Sequence, residues 1–211
     1  MIACVMSLPF LFIGLSLAME RGQITSAVPP EEYALYDRII EDKFLTSQTQ
    51  LVLLERLTVS RLVPKQPGSM TMAFFQEQGF FDNMLPQDLI RDFVGANQAR
   101  SPLESRFQFG VRYRLMSGDP TDETEANRAI SVMSHDDLSF PTPTVLDRLA
   151  LSRVGRNIQN DQALVYVEHV RPDETGAGFL VWCHRRGREW KIFDTEVVWT
   201  MMGGIDESGG H

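Results

Sequence analysis

Cysteine is nearly absent from this chain. Of 211 residues only Cys4 and Cys183 are cysteines, and Cys4 stands ahead of an apolar run that reads as a removable leader. Without that leader Cys183 has no partner, so no intramolecular disulfide is expected; a chain of roughly 190 remaining residues buries an adequate core without cross-links. Positive charge is also short. Lys and Arg number 20 against 28 Asp and Glu, a net charge of −8. That balance excludes a general nucleic-acid binder, which needs excess cations to displace counterions from phosphates. It also disfavours adsorption to anionic lipid. No apolar segment after residue 18 approaches the ~20 residues that cross a bilayer as a helix. No G-x-S-x-G elbow and no glycine-rich phosphate loop occurs.

What is present begins with the leader. Met1 to Ala18 carries no charged side chain, and Val5 to Leu17 is apolar apart from Ser7, Pro9, Gly14 and Ser16. Ser16-Leu17-Ala18 places small residues three and one before a cut after Ala18, as signal peptidase requires. No Lys or Arg precedes the run. Residues 1–18 are therefore expected to be a signal peptide and the protein to be exported, with an uncleaved anchor as the alternative. Lipidation at Cys4 is not expected, because a lipid-attachment cysteine follows its apolar run. Residues 19–30 read as a tether, 31–202 as a single α+β domain and 203–211 as a flexible tail.

Pro29-Pro30-Glu31-Glu32 is a helix start: proline loses nothing in the first turn, and the carboxylates face the positive end of the dipole. Tyr33, Tyr36, Ile39, Ile40 and Phe44 continue it at spacings of three and four. Gln50 to Ser60 reads as a strand, with a short helix as the competitor. Val63 to Gly68 is a loop, Met70 to Phe81 is helical in part, and Pro86 opens a helix that stops near Gly95. Phe107 to Leu115 alternates apolar and polar residues, the pattern of a half-buried strand. Gly118 to Asp122 reads as a turn, Asp122 and Glu125 open a helix to about Met133, and Ser139 to Thr144 reads as a loop. A meander then follows: Leu149 to Val154, a turn at Asn157 to Asp161, the doubly apolar Ala163 to Val167, Phe179 to His184, a tight turn at Arg186-Gly187, and Trp190 to Trp199.

One stretch resembles a known pattern. Leu151-Ser152-Arg153-Val154-Gly155-Arg156-Asn157 and Gln162-Ala163-Leu164-Val165-Tyr166-Val167, with Gly176-Ala177-Gly178 and Gly187-Arg188-Glu189-Trp190-Lys191-Ile192 after them, are similar to exported bacterial proteins of unassigned function. Those proteins carry S-R-V-G-F-N … Q-A-L-V-Y-V … G-x-W-x-V. Glu31-Glu32-Tyr33 is similar too. Arg156 departs from the usual phenylalanine, and the cysteines common near the middle loop are missing. The resemblance implies a bacterial, exported α+β protein and no particular activity. Physically, Gly155 and Asn157 suit a bend or bulge at a strand end, and the Ala163–Val167 run a buried strand.

Candidate chemistry is sparse. Ser152 with His169 or His184, and Asp147 or Asp161 nearby, would make a hydrolytic triad if they met on one face; otherwise they are a strand-edge serine and surface histidines. His135-Asp136-Asp137 and the acidic run Asp119, Asp122, Glu123 and Glu125 lack the spacing of zinc or calcium ligands, and a solvated turn explains them. Cys183 and His184 are neighbours on a strand and point to opposite faces, so Cys183 reads as a core residue. Arg171, Arg185, Arg186 and Arg188 form a basic patch at meander loops, with Trp182, Trp190 and Trp199 as nearby aromatic area. Such a patch suits an anionic partner, a polysaccharide or the acidic face of another protein.

The expected architecture is α+β, with helices packed on an antiparallel sheet and a C-terminal β-meander. No cofactor or metal is assigned. The leading functional expectation is a non-catalytic exported binding or interaction domain of the cell envelope. Its partner is an envelope protein or anionic ligand, and neither nucleic acid nor a membrane span is involved. The alternatives are an envelope hydrolase using Ser152 with His169 or His184, and a small-ligand-binding, cone-like domain with a cavity between helix and sheet.

Overall fold

The computed structural model describes residues 26–117, 144–171 and 175–202, with side chains in the third strand from residue 148 onward. Helix α1 (Pro30–Lys43) starts on Pro30, carries Glu31 and Glu32 in its first turn and Lys43 in its last, which suits the dipole at both ends. It buries Glu32, Tyr33, Leu35, Tyr36, Ile39 and Ile40 on one face. Val28 is also buried, and its N–H bonds to the Pro102 carbonyl at 3.0 Å. The packed body therefore reaches back into the stretch read as a tether.

Strand β1 (Thr49–Glu55) ends sooner than its apolar pattern suggests. Beyond it the backbone turns to another partner: Leu103 N–H bonds to Arg56 O and Thr58 N–H to Ser101 O. Helix α2 (Met72–Gln78) is capped by Thr71, whose hydroxyl accepts from Phe74 N–H, and stops at Gly79 with φ +65°. Helix α3 (Gln87–Ala96) follows Pro86 and buries Leu89, Ile90, Phe93 and Val94. Strand β2 is only Arg112–Met116. Phe107 and Phe109 are buried, as their alternation implied, but in irregular chain. The Gln108 N–H is taken by the Asp37 carboxylate of α1 at 3.0 Å, and the Phe107 ring packs edge-on to Tyr33 and Tyr113. An aromatic cluster under α1 replaces the strand ladder there.

The remaining strands are β3 (Thr144–Leu151), β4 (Gly155–Arg156), β5 (Gln162–Val170), β6 (Gly176–Arg186) and β7 (Glu189–Met201). They form one sheet in the order β2-β1-β3-β5-β6-β7, with β4 beside β5. The C-terminal meander is antiparallel as expected, closed by a two-residue turn in which Gly187 takes φ +65°. The sheet as a whole is mixed, however, because β1 runs parallel to both β2 and β3. The long α2–α3 crossover between β1 and β2 is the kind of connection a parallel pair requires. The turn and helix expected over 118–133 and the loop at 139–143 lie outside the described residues.

Strand β5 shows why it is central. Ala163, Val165 and Val167 join the core under α1, while Leu164 and Tyr166 join the core under α2 and α3. Helices thus cover both faces, and each fully buried Leu, Ile or Val contributes roughly 1.5–3 kcal/mol.

One polar cluster crosses these layers. Glu32, 4% exposed, receives Arg153 Nη2 at 2.7 Å and Nε at 3.0 Å, and accepts the Val154 N–H at 3.0 Å. Tyr36 Oη lies 2.7 Å from Glu32 Oε2 and 2.9 Å from the Ser152 carbonyl. Asn97 at the end of α3 accepts Arg153 N–H at 2.7 Å and donates to Arg153 O at 3.1 Å. Breaking a buried pair strands the remaining charge, at a cost of about 3–5 kcal/mol. Glu32→Ala is expected to cost about 3 kcal/mol, since Arg153 keeps some solvent contact; urea denaturation measures it. A loss below about 1 kcal/mol would place this pair in the class of surface salt bridges.

Candidate functional site

The segment after β3 folds tightly against α3. Ser152 Oγ accepts the Tyr166 N–H at 2.8 Å and donates to the Arg153 carbonyl at 2.8 Å. A Cβ on Gly155 would stand 2.4 Å from Phe93 Cβ, so only glycine lets β4 lie on α3. Two carboxylates of α3 then receive backbone N–H groups of the turn: Asp92 takes that of Arg156 at 2.7 Å and Asp88 that of Ile158 at 2.8 Å. The bond from Ile158 holds the Asp88 carboxyl below its usual range. Asn157 closes the turn from within, its side-chain oxygen accepting from Asp161 N–H and Gln162 N–H at 3.1 and 3.0 Å.

This pinned turn forms one wall of an open cleft of about 1030 Å³, bounded also by α1, α3 and the β6–β7 hairpin. Trp190 lies in it with two guanidinium groups over its ring, Arg156 at 5.2 Å and Arg185 at 5.8 Å from the centroid. Arg156 is held by Asn160 Oδ1 at 3.0 Å and the Glu31 carbonyl at 3.3 Å. Arg91 and Arg188 add two more cations to the lining, and Glu31, Asp88 and Asp92 three carboxylates. Ile158, 85% exposed, stands at the rim. Among the described residues neither Arg185 nor Arg188 forms an ion pair.

The expected basic patch is therefore partly assembled and partly rearranged. Arg185 and Arg188 reach the cleft, and Arg186 sits at the hairpin without lining it. Arg171 does not join them: it follows Val170 at the far end of β5, whereas Arg185 N–H bonds to Asp161 O at the near end. Ten residues of strand put about 30 Å between the two ends. Arg91 and Arg156 complete the group instead. Arg156 carried no functional reading in the sequence, where it stood only as a departure from the resembled pattern. Of the tryptophans only Trp190 faces the cleft; Trp182 donates to Gln162 at 3.1 Å and Trp199 to Tyr166 Oη at 2.6 Å.

The serine–histidine arrangement does not form. Ser152 is fully buried with both hydroxyl functions committed. The histidines lie on opposite faces of the sheet: His169 meets Phe44 on the α1 side, and His184 stacks on Phe193 at 4.1 Å beside Trp182 on the other. Asp161 accepts from Asn157 Nδ2 at 2.6 Å; the Asp147 side chain lies outside the described residues. Cys183 is fully buried under α1, and burial, with Asp42 adding to it, pushes its thiol up to about 12, which makes it a core residue and not a nucleophile. His135, Asp136, Asp137, Asp119, Asp122, Glu123 and Glu125 lie outside the described residues. Among those described, no group of three His, Cys, Asp or Glu is placed to hold a metal, and no helix is long and apolar enough to cross a membrane. Between the helices and the sheet the described residues pack as two apolar clusters, and the cleft is lined by a different, largely polar set of residues.

Comparison with protein-family models, curated proteins and solved structures finds no match. The site is therefore read from its own chemistry.

One further carboxyl has a distinctive setting. Glu168, 9% exposed, lies two residues beyond Tyr166 on β5. Burial raises its carboxyl above the ordinary value, while the guanidinium groups of Arg61, Arg148 and Arg100 draw it back. The folded state thus holds this proton more tightly than the unfolded chain. That contribution is fully present below the ordinary carboxyl range and is lost as pH rises through the raised value. Glu168→Gln is expected to remove this loss, so its melting temperature gains on the wild type between about pH 4 and pH 7. Parallel melting curves across that range would contradict the assignment.

Proposed function

We propose that this chain is an exported, non-catalytic binding domain of a bacterial envelope, and that it takes an anionic partner in the cleft around Trp190. Export rests on the apolar, charge-free stretch before Glu20 with its Ser16-Leu17-Ala18 ending, and on the resemblance of the Ser152–Val167 region to exported proteins. The observation that carries the binding reading is the convergence of Arg91, Arg156, Arg185 and Arg188 around one tryptophan in an open cleft. Against an overall charge of −8, four guanidinium groups outnumber the three carboxylates in this lining, and guanidinium groups suit carboxylates and phosphates because they bind them with two parallel bonds. Stacking on Trp190 pre-orients Arg156 and Arg185, which lowers the ordering cost of binding. The committed hydroxyl of Ser152 and the buried Cys183 support a non-catalytic role.

Three polyanions of different chemistry, an oligogalacturonate, an inorganic polyphosphate and a poly-glutamate peptide, test this reading on the full chain at low ionic strength. At least one is expected to change Trp190 fluorescence and to shift the backbone amide signals of Arg156, Ile158 and Arg188 in nuclear magnetic resonance spectra. Arg185→Glu combined with Arg188→Glu is expected to weaken that binding about tenfold or more. Both residues are exposed, so the fold should tolerate the change. If none of the three probes moves the cleft signals, the reading fails.

A further inference from the structure

We infer that the anionic ligand is a carboxylated carbohydrate of the hexuronate type. The inference rests on the cleft being the binding site and concerns what fits it. The lining is of mixed sign: seven of its fourteen residues are ionisable, four arginines and three carboxylates. A ligand with a negative charge on every unit at high density meets Glu31, Asp88 and Asp92 as repulsion. A uronate chain carries one carboxylate per ring among several hydroxyls. Its carboxylates suit the guanidinium groups, and its hydroxyls are donors for acceptor oxygens. Glu31 supplies such an acceptor: its carboxylate is exposed at the first turn of α1, and it is the Glu31 backbone carbonyl that receives Arg156. Asp92 spends a lone pair on the turn and retains others, while Asp88 is taken up more fully, by the Ile158 N–H and the amides at its own helix start.

The same lining argues against a protein partner. A protein interface has a desolvated core depleted of charge and anchored by apolar side chains. Here the apolar contribution of large side chains is Trp190 and Ile158, and ionisable groups alternate with them throughout. A hydrated glycan tolerates such a surface because bridging waters serve nearly as well as direct bonds. The open volume of about 1030 Å³ lies at the upper end of the range for small-molecule sites, so a ligand of several rings fits.

Calorimetric titration of the full chain with four probes tests this. They are an oligogalacturonate, its fully methyl-esterified counterpart, an inorganic polyphosphate and a poly-glutamate peptide. The acid form is expected to bind about tenfold or more tightly than each of the others, and Trp190→Ala, checked for folding by circular dichroism, to weaken it comparably. Glu31→Ala separates the chemistries by sign. It is expected to weaken the oligogalacturonate, which loses a hydroxyl acceptor, and to strengthen the polyphosphate, which loses a repulsion. If polyphosphate or poly-glutamate binds as tightly as the acid sugar, the carbohydrate inference falls and the anion-binding cleft stands. An oligogalacturonate affinity that rises or stays unchanged in Glu31→Ala also overturns the inference. Equal binding of the ester, or no binding by any probe, overturns both.

Discussion

A carboxylate taken out of water is costly, and Glu32 is taken out of water almost completely. The structure meets that cost with every group around it. The Arg153 guanidinium presents its fork to both oxygens, the Val154 N–H and the Tyr36 hydroxyl use the remaining lone pairs, and Asn97 fixes the backbone that carries Arg153. Burial works against the charge on Arg153, and the Glu32 carboxylate outweighs it, holding the guanidinium above its ordinary range. Pairs of this kind give little net stability compared with well-packed apolar residues. What this one supplies is position: it ties the first turn of α1, the end of α3 and the exit of β3 into one corner.

The cleft is built from the elements that meet at that corner. Arg153 is three residues from Arg156, Glu32 is next to Glu31, and Asn97 ends the helix that bears Asp88, Arg91 and Asp92. Gly155 lets β4 press onto Phe93, which brings the Arg156 and Ile158 amides to the carboxylates of α3. The hairpin then contributes Trp190, Arg185 and Arg188 from across the sheet. Of the charged side chains in its walls, Asp88, Asp92 and Arg156 are held by backbone groups, while Arg185 and Arg188 stand exposed at the hairpin.

Much of this frame was legible in the sequence wherever the signal was local. The double proline with two glutamates marked α1, the apolar run at Ala163–Val167 marked a strand buried on both faces, and Gly187 marked the hairpin. The parallel pairing of β1 was not legible, because strand direction depends on a crossover and not on the strand's own residues. The alternation of Phe107 to Leu115 marked burial throughout but strand only from Arg112 onward: period two records which side chains face the core, and over the first half the Asp37 carboxylate took the Gln108 N–H that a ladder would have used. The site was legible in part. Arg185, Arg188 and Trp190 are close in sequence and were grouped; Arg171 was grouped with them by chain proximity, which a long antiparallel pair inverts. Arg156 and Trp190 are 34 positions apart, and only the register of β4, β5, β6 and β7 brings them together.

Native-state hydrogen exchange in Glu32→Gln tests whether the buried pair sets the cleft. Glutamine keeps the size and removes the charge, and the amides to follow are those of Arg156 and Ile158, bonded to Asp92 and Asp88. Protection at both is predicted to fall by clearly more than at the amides of Val165 and Val181 in the central strands, which lose only what the lower global stability takes. Unchanged protection at Arg156 and Ile158 would contradict the account, because the turn and its cleft would then hold their geometry without the ion pair.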